Sequence, residues 1–181
     1  MRDNNPQTIQ EMGDEFMRFL GMCITEWAQI EEELFESCHA ILRTKKEHTA
    51  IIYYRTPTLA SRLELVSELI TTVFPLPKSG DHPSLERRTW KEIHDDFERL
   101  LPERNLLAHS PVGPTITNTN GDWLNDIRYE SYTHRNERMR GKSAKGPMTL
   151  EDLRKHISSL VSLWSRLRTF RHALPAHVAK L

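Results

Sequence analysis

Arg104-Asn105-Leu106-Leu107-Ala108-His109 is the segment of this chain whose residue types suit chemistry rather than architecture. An arginine presents a planar, permanently charged fork that can hold a phosphate through two hydrogen bonds, and a histidine gives or takes a proton near neutral pH. Together they suit cleavage of a phosphodiester without a metal. In RNA the 2′-hydroxyl is an internal nucleophile, so a protein has only to position the phosphate, stabilise developing charge and move a proton. Spacing by itself selects nothing, because Arg43/His48, Arg87/His94, Arg88/His94, Arg128/His134, Arg166/His172 and Arg171/His177 also place an arginine shortly before a histidine. What separates Arg104/His109 is the filling: Asn directly after Arg, then Leu-Leu-Ala, then His at the expected end of a core helix.

On a regular helix Asn105 and His109 stand about 40° apart and their side chains can touch, whereas Arg104 lies about 140° from His109. Both groups reach one phosphate only if the helix end unwinds or if two copies of the segment meet across a symmetric interface. Extending the apolar stripe of Phe97 and Leu100 also carries it onto Arg104, where an unpaired buried guanidinium would cost several kcal/mol. Arg104 must then reach a carboxylate, a water-filled cleft or a phosphate. A purely structural reading stands beside the chemical one: Arg104 pairs with an acid and His109 hydrogen-bonds a carbonyl near the helix end.

The elements that position this segment are legible as helical stripes. Phe16, Leu20, Cys23, Trp27, Ile30, Leu34 and Ile41 step by three and four, which predicts a first helix of up to about 35 residues with Gly21 as the place for a bend. Glu26, Glu31, Glu32, Glu33 and Glu36 fall off that stripe and are expected on its solvent side. Ile51-Ile52-Tyr53-Tyr54 fits strand, helix or packed loop equally. Thr56 as N-cap and Pro57 in the first turn predict a second helix through Leu59, Leu63, Val66, Ile70 and Val73 to Pro75. A third runs from near Ser84 through Trp90, Ile93, Phe97 and Leu100 into the motif, with Pro102 removing the backbone bond to Glu98 and kinking it. Thr149-x-x-Asp152 signals the start of a fourth, carrying Leu153, Ile157, Leu160, Trp164, Leu167 and Leu174.

Between helices three and four, residues 110–148 lose the helical period. Asn120-Gly121 between Thr115-Ile116-Thr117 and the run from Trp123 predicts a β-hairpin, and residues 135–146 read as a mobile charged loop. The expected architecture is all-α: a single domain over residues 1–181, built as an up-and-down four-helix bundle with a hairpin and loop insertion at 110–148. The long first stripe also suits a packed helix pair within one chain or between two, which makes a homodimer plausible. Tyr129, Tyr132 and Arg128 after the hairpin fit either cross-strand packing or stacking on unpaired bases.

At 181 residues a fold buries roughly 70% of the surface its unfolded chain exposes, so neither staples nor metals are needed for a core. Cys23 and Cys38 lack CxxC spacing, and two unbridged thiols in a reducing, cytoplasmic setting are expected. No stretch of about 18 apolar residues can span a bilayer. Formal net charge is zero, unlike a DNA-coating protein, but residues 1–50 hold 5 Lys/Arg against 10 Asp/Glu and residues 130–181 hold 11 against 4. That asymmetry suits a basic face for a polyanion or, equally, opposite charges on neighbouring solvated helices. The nine histidines include no HExxH, and His94-Asp95-Asp96 reads as a solvated helix face, so neither a metal nor another cofactor is expected. No GxGxxG or phosphate-loop motif supports a dinucleotide enzyme or nucleoside-triphosphatase, and no Gly-x-Ser-x-Gly elbow supports a serine hydrolase.

Arg-Asn-Leu-Leu-Ala-His resembles the Arg-polar-x-x-x-His signature of the HEPN superfamily (higher eukaryotes and prokaryotes nucleotide-binding domains). Trp27-Ala28-Gln29-Ile30-Glu31, Ser61-Arg62-Leu63-Glu64-Leu65-Val66 and the run from Trp90 to Leu100 are similar to prokaryotic members, so the likeness covers residues 15–112. The resemblance implies a helical bundle, a dimer that joins two motif copies, and metal-independent RNA endonuclease activity in defence or toxin systems, with an antitoxin or regulator as a further partner. Carried over by position, Arg104 would bind or polarise the phosphate, His109 would transfer the proton and Asn105 would orient the site. Members of the superfamily that bind without cutting supply the alternative: a non-catalytic nucleotide-binding or protein-interaction bundle.

Overall fold

Capping chemistry at a few threonines and serines sets the helix boundaries. The computed structural model describes residues 9–76, 82–109, 117–119, 122–124 and 148–178. Among these are five helices, α1 (Ile9–Leu42), α2 (Lys46–Arg55), α3 (Leu59–Val73), α4 (Leu85–His109) and α5 (Leu150–Val178), and two three-residue strands, β1 (Thr117–Thr119) and β2 (Asp122–Leu124). The fold class is all-α. The strands pair antiparallel with Thr117 opposite Leu124, Asn118 opposite Trp123 and Thr119 opposite Asp122. The connection at Asn120-Gly121 lies outside the described residues, as do residues 125–147, which include the charged loop and the Tyr129/Tyr132 pair.

Ile51-Ile52-Tyr53-Tyr54 is helical, as part of α2. That moves the next boundary: Thr56 closes α2, its N–H donating to the Tyr53 carbonyl at 3.2 Å, and the N-cap of α3 is Thr58, whose hydroxyl accepts from the Ser61 N–H at 3.1 Å. Thr56 cannot cap a helix that starts three residues later, so the cap expected there shifts by two positions. At α5 the expected signal forms a reciprocal capping box: Asp152 N–H donates to Thr149 Oγ1 at 3.2 Å and Thr149 N–H donates to Asp152 Oδ2 at 2.9 Å.

The chain divides into two compact units, Met1–Thr25 with Glu103–Ser158, and Glu26–Pro102 with Ser159–Leu181. In the first, the buried residues are Phe16, Leu20 and Cys23 of α1, Leu107 of α4, Met148, and Leu153, His156 and Ile157 of α5. In the second they include Trp27, Ile30 and Leu34 of α1, Tyr53 of α2, Leu63, Val66 and Ile70 of α3, Trp90, Ile93 and Phe97 of α4, and Leu160, Leu163 and Leu167 of α5. Each fully buried side chain of this size contributes about 1.5–3 kcal/mol. Trp27 and Phe97 meet edge to face with ring centroids 5.5 Å apart, and the Trp90 indole N–H donates to Ser67 Oγ at 3.0 Å.

Two expected faces are corrected. Leu163 takes the core position given above to Trp164, which is only half-buried, with the Arg168 guanidinium 5.0 Å from its ring. One residue is a 100° rotation on a helix, enough to exchange core for rim. Glu33 is buried rather than solvated, because its carboxylate accepts from Arg171 Nε at 2.8 Å and lies 3.9 Å from Arg168 Nε. Glu31 and Glu36 are likewise engaged, with Arg62 and Lys46.

α1 runs through Gly21 as one helix, and a methyl group built at Gly21 meets nothing within 4 Å. Gly21→Ala is therefore expected to stabilise the protein by roughly 0.5–1 kcal/mol by reducing backbone freedom in the unfolded chain. Thermal melts should show a Tm raised by about 1–4 °C, and a lowered Tm would mean that α1 uses the flexibility of Gly21.

Candidate functional site

The motif occupies the last turn and a half of α4, in the unit made of Met1–Thr25 and Glu103–Ser158. Pro102 sits inside α4 two residues before Arg104, and the helix continues through His109. Leu107 is buried and anchors the motif's apolar side, while Asn105 and Ala108 are exposed. Arg104, which the extended stripe carries toward the apolar face, is half-buried; its Nη1 donates to Asn105 Oδ1 at 3.4 Å. Arg104 and Asn105 are therefore brought together, and the partner of the guanidinium among the described residues is a neutral amide, not a carboxylate. The side chain of His109 lies outside the described residues.

Glu103, one residue before Arg104, faces a histidine that sequence reading missed. His156 of α5 is 4% exposed, and its Nδ1 lies 2.8 Å from Glu103 Oε2. The buried imidazole lies against this carboxylate, which sets α5 beside the base of the motif just past Pro102, a residue with no backbone N–H to donate. His156 carries no local signal: it sits at the edge of the α5 stripe, and its acidic partner is on another helix.

No family model, curated protein or solved structure matches this chain. Cysteine chemistry does not compete: Cys23 and Cys38 are buried and unbridged, and burial pushes the Cys38 thiol up to about 11, which leaves it protonated and a poor nucleophile at neutral pH. Tyr53 is equally inert, its phenol pushed up by burial and then by the nearby Glu31 carboxylate. Asp96 is held below the usual carboxylate range by hydrogen bonds from Arg99 and then Arg166, so it serves as a fixed anion. Among the described residues no helix is long and apolar enough to cross a membrane.

Proposed function

We propose that this protein is a metal-independent RNA endonuclease of HEPN type that acts as a homodimer in the cytosol, in a defence or toxin setting with an antitoxin or regulator as partner. In this reading the helices form an up-and-down four-helix bundle, and residues 110–148 are a hairpin and loop insertion. Arg104 binds and polarises the scissile phosphate, His109 moves the proton and Asn105 orients the site.

The observation that carries the reading is the state of Arg104. Arg62, Arg154, Arg166 and Arg171 each pair with a carboxylate, whereas Arg104 is hydrogen-bonded to the amide of Asn105. Among the described residues no carboxylate pairs with Arg104, which leaves its fork available in this reading for a phosphate. On a regular helix positions 104 and 109 lie about 140° apart, so in this reading the phosphate is shared with the motif of a second chain.

Cleavage of RNA by the purified protein is expected to persist in excess chelator and to leave cyclic phosphate ends, as attack by the 2′-hydroxyl requires. End-group mapping with and without chelator, on a protein sized by light scattering, tests this. Activity abolished by chelation and restored by a divalent ion, or cleavage by a strict monomer, would remove the proposal. A folded dimer that binds RNA or nucleotides without cutting would select the non-catalytic alternative.

A further inference from the structure

Three metal-capable side chains that the sequence scatters over two helices converge in the unit made of Glu26–Pro102 and Ser159–Leu181. His94 and Glu98 stand one helical turn apart on α4, and Glu64 comes from α3, 30 residues earlier than His94. His94 Nε2 lies 3.3 Å from Glu64 Oε1, and its Nδ1 lies 3.7 Å from Glu98 Oε2. One ligand atom from each residue falls within 4.8 Å of the other two. The imidazole is largely buried at 18% exposure, while both carboxylates are 59% exposed and have room to adjust.

Arg87, Arg88 and Lys91 line the same cavity as His94, and Arg87 is engaged with the Phe74 carbonyl. Lys91 donates to Asp95 at 2.5 Å, Arg99 donates to Asp96 at 2.8 Å, and Arg166 also takes Asp96. Among the described residues neither Glu64 nor Glu98 pairs with a Lys or Arg; the group each faces is His94. Two carboxylates around one imidazole are thus left with no Lys or Arg partner among the described residues.

We propose that Glu64, His94 and Glu98 form a binding site for a divalent first-row transition ion of the Zn²⁺ class. Zinc accepts imidazole nitrogen at about 2.0–2.1 Å and carboxylate oxygen at about 2.0–2.2 Å, so tetrahedral ligands stand about 3.3 Å apart. A given ion is ligated by only one imidazole nitrogen, and Glu64 and Glu98 face different ones, so one glutamate must rotate to the nitrogen the other faces. Both are 59% exposed, and one ligand atom from each residue already lies within 4.8 Å of the other two. A histidine and a glutamate at positions i and i+4 form a natural helical chelate, and Glu64 closes it from the neighbouring helix. The imidazole selects zinc-like ions over Mg²⁺ and Ca²⁺, and the two carboxylates balance the ionic charge. The remaining coordination position is open to water. This site is independent of the nuclease reading and uses none of the motif residues.

The test is calorimetric titration of the chelator-stripped, dialysed full chain with Zn²⁺, and with Co²⁺ followed by its visible absorption. The expected result is one site per chain at which His94→Ala, Glu64→Gln and Glu98→Gln each weaken binding by more than the roughly 10- to 100-fold typical of losing an outer-shell partner. His48→Ala, a histidine on α2, should leave that site intact, and excess Mg²⁺ should not compete. Because the chain has nine histidines, binding that is unchanged in His94→Ala overturns the proposal, as does the absence of binding in the wild type. Should His94→Ala fail to fold in chelator, the two exposed glutamine variants decide the matter alone: unchanged affinity in both rejects the site.

Discussion

His109→Ala is expected to lower the rate of RNA cleavage by about 10²- to 10⁴-fold, the usual worth of a positioned general acid or base. RNA binding should largely survive, because the proposed mechanism assigns the phosphate to Arg104 rather than to the imidazole. Arg104→Ala removes the charged fork and should weaken both binding and turnover. His48→Ala, from the spacing-matched pair Arg43/His48, serves as the control and should change neither. If His109 were a hydrogen-bonded cap at the end of α4, its loss would instead lower stability by about 1 kcal/mol and leave the activity of the folded protein intact. Cleavage rates and melting curves on the same variants separate the outcomes. A folded His109→Ala dimer that cuts RNA at the wild-type rate would end the assignment.

The largest effect on stability is expected from Phe97→Ala. Phe97 is fully buried and its ring meets Trp27 edge to face at 5.5 Å, so truncation removes apolar burial, an aromatic contact and the atoms that fill the space. Such a change costs about 3–5 kcal/mol. For a chain of this size the Tm should fall by roughly 6–20 °C. Phe97→Leu, which retains most of the apolar volume, should lose markedly less. Urea titrations analysed for midpoint and slope provide the measurement, and a loss below about 1 kcal/mol would contradict the tight packing around Trp27 and Phe97.

Cleavage that survives chelation and zinc binding at Glu64, His94 and Glu98 are compatible, since the two draw on different residues. A variant of the metal cluster that loses zinc affinity but keeps full nuclease activity in chelator would support both, whereas an RNA-inactive protein that still binds zinc through His94 would separate them.

Much of the helical framework was readable from residue order. Phe16, Leu20, Cys23, Trp27, Ile30 and Leu34 define α1 because a helix returns to the same face every three to four residues, and every one of them is buried. The Thr149/Asp152 box marks the start of α5 because its hydrogen bonds span only three residues. Arg104, Asn105 and His109 could be selected because the chemistry of guanidinium, amide and imidazole belongs to residue type. Period alone does not fix rotational phase to within one residue, so Trp164 was given the place that Leu163 holds. Nor did it choose between helix and strand for Ile51-Ile52-Tyr53-Tyr54, a run too short to show a period.

The tertiary structure decided which polar groups are neutralised, and by what. Glu33 looks solvent-facing on α1 until Arg171 of α5 satisfies it in the core, Glu103 gains its histidine from α5, and His94 acquires Glu64 from α3. Each of these pairs joins residues far apart in the chain. Their energies depend on the positions of two helices at once, and a pattern confined to either helix contains no term for that. The sequence by itself determined where the helices lie and which residues are chemically capable; the packing of distant helices determined which of those residues are held together, because charge and coordination act through distance in space rather than along the chain.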